Sequence, residues 1–262
     1  RYINYPRSHF YRFSFFKNHN IFTGEAQTPK ITFESSGTTG LQTSRHGLYD
    51  EALYHEVSQS IFESHYGPLN QFHIFALLPS YLERSTSSLV YMMQHFIQKS
   101  DSKVSDFYLK NTDEMLQRLK YITDHPDGKK ILLMGVTFAL LDLAESGTDL
   151  SFIQKIPHIH IMDTGGMKGR REELLREEVH DILTHHFGVS KIHSEYGMTE
   201  LLSQSYSQGD GLFFPKMTMQ ILLRDINDPF QLYTYGETAK TGGINVIDLA
   251  NIDSCAFIET QD

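Results

Sequence analysis

Phe72-His73-Ile74-Phe75-Ala76-Leu77-Leu78 is a short, almost wholly apolar run that Pro79 stops. It predicts a strand buried on both faces, which belongs in a parallel sheet covered by helices. The flanking sequence agrees. Upstream, Tyr49 to His65 predicts a helix, with Leu53, Val57, Ile61 and Phe62 at helical spacing and Gly67-Pro68 closing it. Downstream, Ser85 to Gln98 predicts a helix and Val104 to Leu109 a strand. Asn111-Thr112-Asp113-Glu114 then opens a helix with capping chemistry and acidic first-turn residues. Lys130 to Met134 predicts a strand, Val136 to Glu145 a helix and Ile156 to Met162 a strand. Met167 to Phe187 predicts a long helix with Leu174, Leu175, Val179, Ile182, Leu183 and Phe187 on one stripe and Gly188 as its stop. Lys191 to His193 predicts a further strand. This alternation implies an α/β fold: a mostly parallel sheet flanked by helices.

Past residue 210 helical signals vanish. Met217 to Leu223, Ile244 to Leu249 and Ala256 to Glu259 predict strands, with turns at Asn227-Asp228-Pro229 and Thr241-Gly242-Gly243. The expected organisation is an irregular aromatic and basic arm over 1–30, an α/β nucleotide-binding domain over 31–209, and a β-rich subdomain over 210–262. The sequence starts at Arg1 rather than methionine, which is expected if the natural chain begins earlier.

The 262 residues suffice for one large domain or two modest ones. No apolar run approaches the roughly 18 residues of a membrane span, and Arg1-Tyr2-Ile3-Asn4-Tyr5-Pro6 lacks the apolar core of a signal peptide. A net charge of -9, with Lys168-Gly169-Arg170-Arg171 as the longest basic cluster, argues against a nucleic-acid partner. A lone cysteine, Cys255, excludes an internal disulfide and a Cys-rich zinc site, so a cytoplasmic, reducing compartment is expected.

Three loops are expected at the carboxyl ends of strands, where open α/β sheets bind ligands. Ser35-Ser36-Gly37-Thr38-Thr39-Gly40 follows the strand-like Ile31-Thr32-Phe33-Glu34 and packs four hydroxyls and two glycines into six residues. Glycine admits close backbone approach, and successive N–H groups with hydroxyls form an oxyanion cradle. The second loop is Asp163-Thr164-Gly165-Gly166-Met167-Lys168-Gly169, and the third is Glu195-Tyr196-Gly197-Met198-Thr199-Glu200. Taken singly, the hydroxyl-rich hexapeptide is more often a plain surface turn, Gly165-Gly166 could be a helix entry with a tight turn, Tyr196-Gly197 a strand exit, and Glu200 a solvated acid or a helix-start carboxylate. Together they favour a nucleotide site.

The pair Ser35-Ser36-Gly37-Thr38-Thr39-Gly40 and Tyr196-Gly197-Met198-Thr199-Glu200 resembles the phosphate loop and the Tyr-Gly-x-Thr-Glu motif of adenylate-forming enzymes, the acyl-CoA synthetase, luciferase and peptide-synthetase group. Within it, Phe33 to Gly40, Leu78 to Arg84 with Ser87-Ser88-Leu89, and Asp163 to Gly169 are most similar to the acyl-protein synthetases that supply fatty acyl groups for bacterial bioluminescence. The resemblance runs from about residue 30 to the end. It implies the N-terminal lobe of that fold and ATP-dependent activation of a carboxylic, fatty, acid as an acyl-adenylate, followed by transfer to a thiol of coenzyme A or a protein cysteine. Ser35, Ser36, Gly37, Thr38, Thr39 and Gly40 would then hold the β- and γ-phosphates of ATP. Thr199 would contact the α-phosphate and Glu200 would bind Mg²⁺. Tyr196, Gly197, Met198 and the Gly165-Gly166 backbone would flank adenine, and Asp262 would take the ribose hydroxyls. Gln261 stands where that family's ribose phrase has glycine. Arg45 would replace the cation of the usual Pro-Lys continuation. The C-terminal lobe of the larger family, with its lysine, does not occur in this sequence.

Other readings are an acyl- or aryl-CoA ligase and a non-catalytic nucleotide-binding module of the same fold. No Gly-x-Ser-x-Gly elbow, Walker loop or Gly-x-Gly-x-x-Gly occurs, which counts against an esterase, a P-loop ATPase and a Rossmann dehydrogenase. Tyr81, Leu82 and the helix through Met92-Met93 read either as an acyl slot or as core. His158 and His160 alternate on a predicted strand, so both could face a metal, though structural roles fit them too. His193 could line the nucleotide pocket or be structural, and Cys255 reads as a small core residue.

Overall fold

The computed structural model describes residues 10–25, 28–35, 43–78, 86–108, 111–167, 169–228, 230–233 and 241–260. In chain order the strands are β1 (Tyr11–Arg12), β2 (Ile31–Glu34), β3 (Arg45–Leu48), β4 (Phe72–Leu77), β5 (Asp106–Tyr108), β6 (Lys130–Val136), β7 (Ile159–Thr164), β8 (His193–Tyr196), β9 (Ser205–Ser207), β10 (Phe213–Pro215), β11 (Met219–Arg224), β12 (Gly243–Asp248) and β13 (Phe257–Glu259). The helices are α1 (Phe15–Asn18), α2 (Glu51–Tyr66), α3 (Ser88–Lys99), α4 (Thr112–Asp124), α5 (Thr137–Ala144) and α6 (Arg176–Phe187). The molecule divides into two compact units. One takes the described residues within 1–58, 198–204 and 215–262; the other takes those within 59–197 and 205–214.

The larger unit is built on a sheet whose order among the described residues is β10-β9-β8-β7-β6-β4-β5. β5, β4, β6, β7 and β8 run parallel, and β9 lies antiparallel to β8. All of β4 is buried, as is β6 from Ile131 to Val136. Helices supply the rest of this core. α3 buries Val90, Met92, Met93 and Phe96, and α4 buries Met115, Leu116, Leu119 and Ile122. α5 buries seven of its eight residues, and α6 buries Val179, Leu183 and Phe187. The α/β architecture with a mostly parallel, helix-flanked sheet is therefore what the hydrophobic rhythm predicts.

The smaller unit holds a sheet ordered β1-β13-β12-β11 and a separate antiparallel hairpin of β2 and β3. β1 runs parallel to β13, and β12 lies antiparallel to both β11 and β13. In the hairpin Ile31 faces Leu48 and Glu34 faces Arg45. Phe16 of α1 is buried against the edge of the His46 ring, 5.2 Å between centroids.

Several local expectations change. The strand before Ser35 does not belong to the parallel sheet; it is half of the hairpin. α6 starts at Arg176, not Met167. Gly169 takes a positive φ of 68°, Leu175 is extended, and its N–H is accepted by the Glu178 carboxylate at 2.8 Å. That capping fixes the start nine residues later than apolar spacing suggested, and it leaves Leu175 exposed. β7 and β8 run further than expected, so Asp163, Thr164, Glu195 and Tyr196 are strand residues, not loop residues. His158 precedes β7 with φ 61°, so it does not alternate with His160 along a strand. Asn111 makes no side-chain cap; its amide donates to Glu114 Oε2 instead. The described part of the N-terminal arm includes β1 and α1 and is not wholly irregular.

Candidate functional site

In the smaller unit the hairpin presents the ends of the hydroxyl-rich loop. Ser35 N–H donates to the Ser44 carbonyl at 3.0 Å, and Ser44 N–H donates to Ser35 Oγ at 2.9 Å. Along β3 exposure alternates, as a strand requires: Arg45 is exposed, whereas Ser44, His46 and Leu48 are buried. Arg45 meets Glu34 across the hairpin at 3.6 Å on the open side.

His46 turns the other way and reaches the Tyr-Gly-x-Thr-Glu segment. Its Nδ1 lies 2.8 Å from the Thr199 carbonyl oxygen, and its Nε2 lies 2.9 Å from Asn251 Oδ1. Asn251 Nδ2 donates to the Glu200 carbonyl at 2.7 Å. Two consecutive carbonyls, of Thr199 and Glu200, are thus taken by one pair of buried side chains. Both ring nitrogens of His46 face acceptors, which only the imidazolium satisfies in full. Burial meanwhile pulls its pKa below the ordinary histidine value. A neutral ring keeps one of the two bonds.

Asp248 fixes the next turn of the same segment. Its Oδ2 accepts from the Leu202 and Ser203 N–H groups at 2.8 and 3.0 Å, and its Oδ1 accepts from Ser203 Oγ at 2.6 Å and Ala250 N–H at 3.1 Å. The carboxylate is fully buried and amply satisfied, which is the condition for a buried charge to be tolerated. Residues 199–203 are therefore held from one side by β3 and from the other by the end of β12 and the turn after it.

The larger unit carries the other named residues at the carboxyl edge of its sheet. Thr164 on β7 faces Glu195 on β8, so Gly165 and Tyr196 leave the sheet side by side. Gly165 is exposed with φ 69°, a conformation that glycine adopts without cost, and an added Cβ at Gly166 would meet nothing nearer than Glu173 at 4.0 Å. Two open glycines beside a half-exposed Tyr196 suit the close approach of a planar ligand. Tyr196 itself packs edge-on to Phe213, 6.1 Å between centroids.

Beneath this edge lies a cluster of buried acids. Thr164 Oγ1 donates to Glu195 Oε2 in a short hydrogen bond, and Thr137 Oγ1 reaches Asp163 Oδ2 at 3.4 Å. Asp163 Oδ1 is buried without a hydrogen bond among the described residues. Burial first, and the neighbouring Asp163 carboxyl next, push the Glu195 pKa up to about 7, against the lowering pull of Thr164. Lower in the same sheet Tyr66 OH meets His193 Nδ1 at 3.3 Å, and His193 Nε2 meets His160 Nδ1 at 3.3 Å. Burial lowers His193 to about 3 and His160 to about 4, so both are neutral at pH 7.

Asp163, His180 and Ser194 superficially suggest a nucleophile triad. Both partners meet the same ring nitrogen, Nε2, at 3.6 and 3.3 Å. A relay needs one partner on each nitrogen, so this trio does not make one. A cavity of about 690 Å³ in the larger unit is lined by Arg176, His180, Asp181, Lys191 and Asp210, among others; none of the sequence-predicted site residues lines it.

The predicted residues thus fall into two described groups: Ser35, Arg45, Met198, Thr199 and Glu200 in the smaller unit, and Gly165, Gly166, Tyr196 and Gly197 in the larger. Ser36, Gly37, Thr38, Thr39, Gly40 and Asp262 lie outside the described residues, as does most of the phrase Leu78 to Arg84. Met92 and Met93 are core residues. Cys255 is buried, and burial pushes its thiol pKa up, as befits a small core side chain. Glu200, the expected Mg²⁺ ligand, is buried. Glu200 offers a hard oxygen ligand in a pinned segment, and Mg²⁺ takes one or two carboxylates beside substrate phosphates and waters. Among the described residues no group of three or more His, Cys, Asp or Glu side chains forms a metal cage. Sequence reasoning missed His46, Asn251 and Asp248. In comparisons with known proteins, no family model matches the chain and no curated protein is significantly similar to it.

Proposed function

We propose that this chain activates a carboxylic acid, a fatty acid by its resemblance, with ATP as an acyl-adenylate and passes the acyl group to a thiol acceptor. The observation that carries the reading is the 2.8 Å contact between His46, on the hairpin strand that follows the hydroxyl-rich loop, and the backbone of Thr199. It supports the idea that two motifs more than 150 residues apart act on one triphosphate.

In this reading the Ser35–Gly40 hydroxyls and amides steady the departing pyrophosphate, and Arg45 adds positive charge near the loop. Thr199 orients the α-phosphate for in-line attack by the carboxylate oxygen. Glu200 would hold Mg²⁺, which supplies charge neutralisation on the phosphate oxygens. Gly165, Gly166, Tyr196, Gly197 and Met198 receive the base, and Asp262 takes the ribose. Positioning and electrostatics dominate such chemistry, which explains why hydroxyls, glycines and one carboxylate recur at these places.

ATP–pyrophosphate exchange with a panel of carboxylic acids tests the reading. Exchange with a long-chain acid is expected; nucleotide binding without exchange with any acid would make the chain a binding module instead. Glu200→Gln should slow exchange by roughly 10²-fold, and Thr38→Ala should chiefly weaken ATP use. Near-normal exchange in the first variant would remove Glu200 from the role.

A further inference from the structure

We propose that His46 and Asn251 are positioning residues whose cross-brace sets the geometry of Thr199 and Glu200, so that the rate of adenylation depends on side chains that touch neither nucleotide nor acid. The inference rests on the adenylation reading and names two residues that the sequence motifs leave out.

The brace joins four residues. His46 Nδ1 takes the Thr199 carbonyl, Asn251 Nδ2 takes the Glu200 carbonyl, and His46 Nε2 and Asn251 Oδ1 meet each other at 2.9 Å. Holding two successive carbonyls fixes two successive peptide planes, and with them the directions in which the Thr199 and Glu200 side chains leave the backbone. The partners come from three distant parts of the chain, separated by 153, 205 and 51 residues. His46 and Asn251 are almost fully buried. Removing such groups from water is costly, and a well-packed apolar cluster of the same volume would often be as stable. A buried polar network instead favours one geometry: a neutral His46 donates to either Thr199 or Asn251, and the Asn251–Glu200 bond persists in both cases.

The anchor continues on both sides. Phe16 packs edge-on to the His46 ring. Asp248 gathers the amides of Leu202 and Ser203, and Ser203 Oγ meets Thr218 Oγ1 at 2.6 Å. His46 is also one residue from Arg45 on β3, so displacement of the brace would shift the hairpin that presents the loop as well as the peptide that presents Glu200. A misplacement of about 1 Å at a reacting centre can cost roughly 10²-fold in rate.

The test measures ATP–pyrophosphate exchange, and backbone hydrogen exchange of the free protein, for wild type, His46→Phe, His46→Gln and Asn251→Leu. Phenylalanine fills the ring's volume without its hydrogen bonds; glutamine keeps an amide donor. In His46→Phe and Asn251→Leu, kcat should fall roughly 10- to 100-fold at saturating ATP, measured at a temperature where the fold is intact. KM for the acid should stay within about two-fold, and His46→Gln should recover most of the rate. The Leu202 and Ser203 amides should exchange faster in both apolar variants, while amides of β6 should not change. If the wild type exchanges and both apolar variants match it in kcat, the positioning role is wrong and the adenylation reading stands. If the wild type exchanges with no acid, the adenylation reading fails. The brace is then judged on hydrogen exchange alone: selective loss of protection at 199–203 supports it, and unchanged protection overturns it. Should one apolar variant not fold, the other and His46→Gln decide by the same readouts.

Discussion

Asp248 in the smaller unit and Asp163 in the larger are both buried aspartates beside segments of the proposed nucleotide site, and their surroundings differ in kind. Asp248 accepts four hydrogen bonds, three of them from backbone N–H groups. Asp163 receives one weak hydrogen bond from Thr137 on Oδ2, while its Oδ1 accepts no hydrogen bond among the described residues and lies 3.6 Å from His180 Nε2; beside it is a second acid, Glu195, whose pKa is pushed up to about 7. The first is an anchor: its charge is spent on holding backbone. The second neighbours Glu195, which titrates near neutral pH, at the sheet edge where Gly165 and Tyr196 emerge. Buried polar groups that remain unsatisfied tend to mark places where something else happens. Two units of one chain thus surround the same side chain in opposite ways, one with several backbone donors and one with few hydrogen-bond partners.

The sharpest way to break the contrast is to remove both charges. Asp248→Asn puts an amide NH₂ against donors whichever way it turns, and should cost about 3 kcal/mol in urea unfolding. The next effect is in the pH dependence. Glu195 has a folded pKa above its unfolded value, so its contribution to stability is lost as pH rises from 4.5 through about 7. His193 and His160 have folded pKa values below 6.5, so their contribution is present above that pH and is lost as pH falls towards 4 and 3. The two trends oppose each other between pH 7 and 5. Glu195→Gln should therefore steepen the acid-side loss by about 2 kcal/mol across that window, whereas His193→Gln should flatten it. Equal slopes in all three proteins would show that these groups titrate normally. The smallest effect is expected from Asp163→Asn, under about 1 kcal/mol, because there is little hydrogen bonding to lose. A cost equal to that of Asp248→Asn would erase the distinction drawn between the two sites.

The sequence carried the parallel sheet well because its central strands are apolar on both faces, as Phe72 to Leu77 and Ile131 to Val136 are. Gly188 ended α6 where a left-handed residue was needed, with φ 65°. What spacing hid was long-range in origin. Ile31 to Glu34 has strand chemistry, but nothing local reveals that its partner is Arg45 to Leu48 and not the main sheet. Leu174 and Leu175 continue the α6 stripe in sequence, yet the Glu178 cap on the Leu175 N–H starts the helix only after them. The segment Tyr196 to Glu200 stands out in the sequence because its residue types are unusual together. Its brace does not: a histidine and an asparagine 205 positions apart carry no mutual signal until folding brings them to 2.9 Å.

The most direct test of the shared-triphosphate claim is backbone hydrogen exchange with and without Mg²⁺-ATP. The account predicts that exchange slows together in residues 35–45 and in residues 196–203. Slowing in only one of these segments, or in neither while nucleotide is bound, would contradict it.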